Sequence, residues 1–339
     1  MASDMNATGL ALFILCSLLT STIFPSLPDL LLRSIILSGA VLLLLGLLKF
    51  KRWGDETKYI PRFVVCFSLA MAELSIENCM VWLVSATDKR KYDNVPGLQD
   101  NLRLAIEMTY PTYPLLYRLA AARLADALTF LVALLALAFS VLWDQVPYSG
   151  FGIMSRVMAT MAASRSLRVA CFMSTVLPNP HPGCYQLRFP PVPDTVWETV
   201  MAGYTTIRGF GGCNDLLFSG HAAFWVLAPL AHFTYYRTRS KGSKGHSLIK
   251  ASNSLLWAFL VQACLHDVVG GHHYSVDMIL AVVVTWACWS WLHWVYDPVS
   301  EKLSPRNNLA PADARNPLAF MLIAVGLVAA GVIVIGGRA

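Results

Sequence analysis

The chain has 339 residues, 56% of them hydrophobic and 14% charged, against roughly 45–50% and 25% in an average soluble domain. With a mean hydropathy of +0.54, a disordered chain, a collagen-like fibre and a disulfide scaffold are excluded, and an all-α, polytopic membrane protein is the expectation. The 26 Lys+Arg and 20 Asp+Glu give a net charge of +6, which in such a chain reports loop orientation and anionic headgroups before nucleic acid.

A spanning helix needs about 20 mostly apolar residues. In chain order the first candidate is 8–24, which is short and reads as half of a hairpin with 30–49. Its leading MASDMNA carries no positive charge, so a cleaved signal peptide is not expected. Six further stretches follow at 63–86, 120–143, 152–176, 214–236, 252–271 and 276–296, and the purest apolar run is 318–336. The expected organisation is an N-terminal hairpin with a basic loop over 1–62, a six-helix core over 63–296, and a linker with one extra membrane helix over 297–339. Proline punctuates 297–317, as in a flexible linker. Gly326, Ala329, Ala330 and Gly331 permit close helix association, so a homo-oligomer is possible.

Lys and Arg in short loops set orientation. The loop 237–251, with Arg237, Arg239, Lys241, Lys244 and Lys250 and no acid, is placed in the cytosol, as is 49–62. Alternation then puts 178–213 and 272–275 on the lumenal or extracellular side. Lys89-Arg90-Lys91 falls on that side too, against the rule.

Ionisable residues within the spans are costly and are functional candidates by default. They are Glu73, Glu77, Arg123, Asp126, Arg156, Arg165 and Arg168. The alternative for each is interhelical pairing or a side chain reaching the interface from a helix end.

Two lumenal segments concentrate chemistry. One is Cys213-Asn214-Asp215-Leu216-Leu217-Phe218-Ser219-Gly220-His221, and the other is His272-His273-Tyr274-Ser275-Val276-Asp277. His273 and Asp277 are four apart, one helical turn on one face. The carboxylate can orient one imidazole nitrogen and leave the other basic. A second histidine allows a two-step transfer in which one attacks and the other protonates the leaving group. His232, His266 and His293 read as structural, and His181 and His246 as loop residues. His221, His272, His273 and Asp277 could instead hold zinc or manganese, although no HExxH and no CxxC accompanies them. No cofactor is expected.

Cys-Asn-Asp-Leu-Leu-Phe-Ser-Gly-His followed by His-Tyr-Ser-Val-Asp resembles the sphingomyelin synthase family of the type-2 phosphatidic acid phosphatase superfamily. That family reads C-G-D-x-L-x-S-G-H and then H-Y-[ST]-x-D; here Asn214 stands for the usual Gly. Arg168 ahead of Thr175-Val176-Leu177-Pro178 resembles a third family block, and Cys184 follows it. The resemblance covers roughly 63–296. It implies a lumen-facing triad in which His273 attacks phosphorus and becomes phosphohistidine. Asp277 orients His273, and His221 protonates the departing diacylglycerol. Arg168, with Arg165 and Arg208 behind it, is the expected phosphate partner, and Asp215, Ser219, Gly220 and Tyr274 are the other expected substrate-binding positions. No metal is needed. Cys184 and Cys213 fall in the same lumenal loop, where a disulfide and two free thiols both remain open. One departure stands out: Val268–His272 separates His266-Asp267 from His273-Tyr274, where the family tends to join them.

The function implied is transfer of a phosphoalcohol headgroup, phosphocholine first, from a glycerophospholipid to ceramide. Transfer to diacylglycerol, as in plant phosphatidylcholine:diacylglycerol cholinephosphotransferases, is the neighbouring alternative. Hydrolysis by a lipid phosphatase or phospholipase C is a third. Outside enzymes, a transporter using the histidines as a proton relay is the competing class. The expected setting is multi-pass in an endomembrane (Golgi or endoplasmic reticulum) or the plasma membrane, with lipids as partners and no nucleic acid.

Overall fold

The computed structural model describes residues 53–87, 97–121, 148–180, 184, 194–205, 213, 216–236 and 245–297. The spans expected at 8–24, 30–49 and 318–336, nearly all of 120–143, and the Lys89-Arg90-Lys91 cluster lie outside them. Among the described residues every regular element is helical. In order these are α1 (Trp53–Glu56), α2 (Ile60–Thr87), α3 (Asn101–Thr109), α4 (Pro114–Ala121), α5 (Gly150–Ser174), α6 (Val196–Thr205), α7 (Gly220–Trp225), α8 (Leu227–Tyr236), α9 (Gly245–Val269) and α10 (Ser275–Trp291). The stretches Thr57–Val84 and Ser275–Val295 are long and apolar enough to cross a membrane, and Asn253–Val269 is a shorter apolar helix.

Helix α5 is the hub. It packs along α2 and against α10, while α7 and α8 pack on α10, α5 and α9. The residues at these crossings are small: Ala70, Ala222, Ala263 and Ala281 are fully buried in the main core beside Phe218, Val226 and Leu227. In lipid, apolar side chains gain little by leaving one apolar medium for another, so close backbone approach and buried polar bonds must hold helices together.

Those polar bonds collect at the two ends of α5. At its N-terminal end Ser149 caps the helix by accepting from Gly152 N–H at 3.1 Å. Buried Glu56 accepts from the N–H groups of Gly150 at 3.0 Å and Phe151 at 3.1 Å. Two of the helix's four orphan donors are thereby satisfied by a negative charge at the positive end of its dipole. Tyr296 accepts from Ser149 N–H at 2.6 Å, and its ring lies so tightly on Gly152 that a methyl there would meet it at 2.2 Å. Arg62 donates to the Val295 carbonyl at 2.8 Å. The opposite end carries the candidate site.

Three expected boundaries move. The run expected at 214–236 becomes helical only at Gly220 and is interrupted at Val226. Pro229, in the first turn of α8, has no N–H to give the Trp225 carbonyl. Helix α9 starts at Gly245 rather than 252 because helix formation tolerates the polar Gly-His-Ser start that an apolarity criterion rejects. His246, expected in a loop, therefore lies in its first turn. Between the spans expected at 63–86 and 120–143 the chain forms α3 and α4, and α4 runs on into the start of the second.

Candidate active site

Helix α9 ends in the residues that depart from the family spacing. Gly271 adopts φ +67°, its N–H bonds to the Val268 carbonyl at 3.1 Å, and His272 N–H bonds to the Asp267 carbonyl at 2.9 Å. This is the Schellman pattern, with a left-handed residue one past the cap, where glycine avoids a Cβ penalty. The extra residues thus become the stop signal of α9 and turn the chain directly into His273.

Helix α10 begins just beyond. The Asp277 carboxylate is fully buried and accepts from Tyr274 N–H at 3.0 Å, closing the first turn. The same oxygen lies 3.4 Å from His273 Nδ1. One carboxylate therefore caps the helix and faces the imidazole, and the tautomer with a proton on Nδ1 suits both. His273 lies just before the N-cap of α10, so the two meet across the start of the helix rather than along its face.

The Ser-Gly-His segment is held to this turn by main chain. Ser219 N–H donates to the backbone carbonyl of Asp277 at 3.3 Å. Buried Ser219 also caps α7, accepting from Ala222 N–H at 3.2 Å. His221, two residues on, is exposed and stacks on Trp225, with ring centroids 5.6 Å apart.

Arg168 reaches this segment from α5. Its Nε donates to the Phe218 carbonyl at 2.5 Å, and a methyl on Gly220 would sit 3.4 Å from the same nitrogen. Its Nη1 pairs with Glu77 of α2. Arg165 also pairs with Glu77, at 2.7 Å, and lies 3.5 Å from Glu73. Arg156, a helical stretch away, bonds the Tyr235 hydroxyl and the Trp289 carbonyl.

Three of the expected substrate-binding positions carry structural bonds. The Ser219 hydroxyl is a buried cap. Gly220 packs against the Arg168 guanidinium. The Tyr274 hydroxyl donates to the Pro178 carbonyl at 2.8 Å and accepts from Leu98 N–H at 2.8 Å. Burial pushes that hydroxyl up from its ordinary value, so it stays protonated and serves as a loop anchor. Arg165, a secondary phosphate candidate, is engaged with carboxylates. Asp215 and Arg208 lie outside the described residues, as do Arg123, Asp126 and His181. His266 bonds the Ala121 carbonyl at 2.9 Å and His293 the Ser290 carbonyl at 3.2 Å. Among the described residues, no group of three or more His, Cys, Asp or Glu side chains gathers as a metal site would.

Cys184 and Cys213 form a disulfide with Cα atoms 5.9 Å apart. Asn179 donates to the Cys213 carbonyl at 2.7 Å, so the bridge belongs to the same end as Pro178, Tyr274 and His273.

Sequence reasoning missed one wall of the site. Asp100 caps α3, accepting from Leu102 N–H at 3.0 Å and Arg103 N–H at 3.1 Å through one oxygen. Its other oxygen accepts from Ser275 N–H at 2.6 Å, at the start of α10. Burial pushes this carboxyl up, but the Ser275, Arg103 and Leu102 donors outweigh it and hold the group below the usual carboxylate range. Docked in this way, α3 and the preceding turn close a cleft of about 260 Å³ against His273 and Tyr274. An Asp one residue before an amphipathic helix was the available signal.

Residues 212–295 match the family model described as PAP2 superfamily C-terminal, so both histidine segments fall within that domain. The chain is also similar to named plant proteins. It is 24% identical over 310 residues to the Protein PHLOEM UNLOADING MODULATOR of Arabidopsis thaliana, covering 74% of this chain and 70% of that protein. It is 34% identical over 130 residues to a phosphatidylinositol:ceramide inositolphosphotransferase of Oryza sativa subsp. indica, and 30% identical over 133 residues to phosphatidylinositol:ceramide inositolphosphotransferase 3 of Arabidopsis thaliana. These two alignments cover 37% and 38% of this chain, and 36% and 42% of those proteins. The matched segment contains both histidine motifs, and two of these relatives are named as phosphatidylinositol:ceramide inositolphosphotransferases.

Proposed function

We propose that the chain is a membrane phosphotransferase that moves a phosphoalcohol headgroup from a glycerophospholipid to a lipid alcohol, ceramide ahead of diacylglycerol. The observation that carries the reading is the His273–Asp277 pair at 3.4 Å, beside a cleft that His273 lines. With Nδ1 turned to the carboxylate, Nε2 is the nucleophile. It attacks the donor phosphorus, the bond to the diacylglycerol oxygen breaks, and protonated His221 gives that oxygen its proton. The acceptor hydroxyl then loses its proton to His221 and attacks phosphorus, and the N–P bond breaks to restore His273. Asp277 stabilises the imidazolium character that develops at His273. Arg168 holds the Phe218 carbonyl and thereby the loop that carries His221, making it a positioning residue.

The headgroup is a finer question. The motifs alone favour phosphocholine, whereas two of the named relatives are inositolphosphotransferases, which makes phosphoinositol the first donor to offer. The disulfide near His273 supports an active end on the lumenal or extracellular side, where thiols are oxidised.

The test is transfer by the purified full chain in nanodiscs, with headgroup-labelled phosphatidylinositol or phosphatidylcholine and with ceramide or diacylglycerol. Product is expected for at least one pair, together with an acid-labile phosphoryl adduct on His273. His273→Ala should abolish both while the melting temperature stays unchanged. Undiminished turnover in that variant would end the reading.

A further inference from the structure

The cleft beside His273 extends beyond the transfer machinery, into side chains that the motifs and the matched domain do not include. Its far wall is Gln99, Asp100, Arg103 and Glu107. Arg103 and Glu107 are one turn apart on α3 and joined at 2.9 Å, with side chains 34% and 43% exposed. Arg103 also reaches the histidine turn, since a methyl on Gly271 would lie 3.0 Å from its Nη1. The pair therefore lines the same cleft as the candidate nucleophile, open to the alcohol part of a phosphoryl group carried on that histidine.

The chemistry of this wall selects among headgroups. A quaternary ammonium seeks aromatic faces or an uncommitted anion. Among the described residues the cleft offers Tyr274 as its aromatic ring, with the hydroxyl tied to two backbone groups, and Asp100 spends its oxygens on three N–H donors. Glu107 already faces Arg103. What is left is a set of donors and acceptors of nearly balanced charge: the remaining guanidinium N–H groups, the second Glu107 oxygen and the Gln99 amide, whose nitrogen also donates to Asn101 at 2.8 Å. Such a set matches several hydroxyls at once, and an analogue lacking them would leave these groups unsatisfied.

We propose that Arg103 and Glu107 form the headgroup-reading pair of this protein and that they select an uncharged polyol phosphate over a quaternary ammonium phosphate. The assignment rests on the transfer reading above and deepens it.

Two measurements on the full chain in nanodiscs test it separately from that reading. Equilibrium binding of soluble inositol 1-phosphate and phosphocholine probes the cleft without turnover. The polyol is expected to bind more tightly, and Arg103→Ala and Glu107→Gln should each weaken it about tenfold while leaving phosphocholine unchanged. In the transfer assay the same variants should raise KM for phosphatidylinositol with little change in kcat, a split that mere loosening of α3 would not give. Tighter binding of phosphocholine, or donor preference unchanged in both variants, would overturn the assignment. Transfer from no donor, with polyol binding still sensitive to Arg103, would sink the enzyme reading and leave the pocket standing.

Discussion

Helix α5 carries a buried arginine toward each end, and the two are used differently. Arg156 is enclosed: its guanidinium lies 4.1 Å over the Trp289 ring and bonds the Trp289 carbonyl and the Tyr235 hydroxyl. Around it, Glu56, Ser149 and Tyr296 satisfy one another and the helix start. Arg168 is just as buried, but its bonds run to a loop carbonyl and to Glu77, and the neighbouring turns open onto a cleft. A buried charge is weak evidence of function in itself, because truncating one partner is costly wherever the pair sits. The difference lies in what each arginine holds. One closes helix ends on each other; the other holds the segment that presents a histidine.

Substitutions can break or sharpen this contrast. Glu77→Gln should have the largest effect on stability, because it leaves Arg168 facing a neutral group and Arg165 with only Glu73 at 3.5 Å; a loss of about 3–5 kcal/mol is expected in thermal unfolding, with transfer falling as well. A melting temperature equal to the parent's would show that the Arg168 end is not held this way. Cys184→Ser opens a loop with a sequence separation of 29, worth about 3 kcal/mol in the chain-entropy account. Dithiothreitol should lower the parent's melting temperature and leave the variant's unmoved. Glu56→Gln should remove about 1–2 kcal/mol by weakening the cap of α5, without altering donor preference, since it acts at the closed end. A change in donor preference there would erase the contrast.

The smallest effect concerns Asp100. Its carboxyl is held below its ordinary value, so the stabilisation it brings is present above the unfolded value of about 4 and is lost as pH falls through the folded one. Amide exchange at Leu102, Arg103 and Ser275 should quicken more steeply in acid than at amides elsewhere in α10, by about 1 kcal/mol in opening free energy. Asp100→Asn should flatten that dependence; parallel curves for parent and variant would remove α3 from the site.

The His273–Asp277 contact was legible because its information is local: the helix starting at Ser275 turns the Asp277 carboxylate back toward the residues just before its N-cap. The bonding of Arg168 was not legible, since Glu77 lies 91 positions away and nothing in either helix marks the partner. Ser219 and Tyr274 fit a motif whose positions look alike on paper, and only their bonds show that one caps a helix and the other anchors a loop. The wall at 97–107 was missed because Arg103 and Glu107 read as an ordinary solvated helix face, and only the docking of α3 on Ser275 gives that face a cavity to line. Helix ends failed where polar residues begin a helix, as at Gly245, because apolarity reports the membrane interior and not the start of hydrogen bonding.

The link from Ser219 to Asp277 runs from peptide to peptide, so no exchange of side chains short of a proline at 219 removes its donor or its acceptor. The register between the two histidine segments is thus insulated from mutation, and the α3 wall of the cleft is free to drift. A laboratory lineage seeking new donor lipids could randomise positions 99, 103 and 107 with the reacting groups left in alignment.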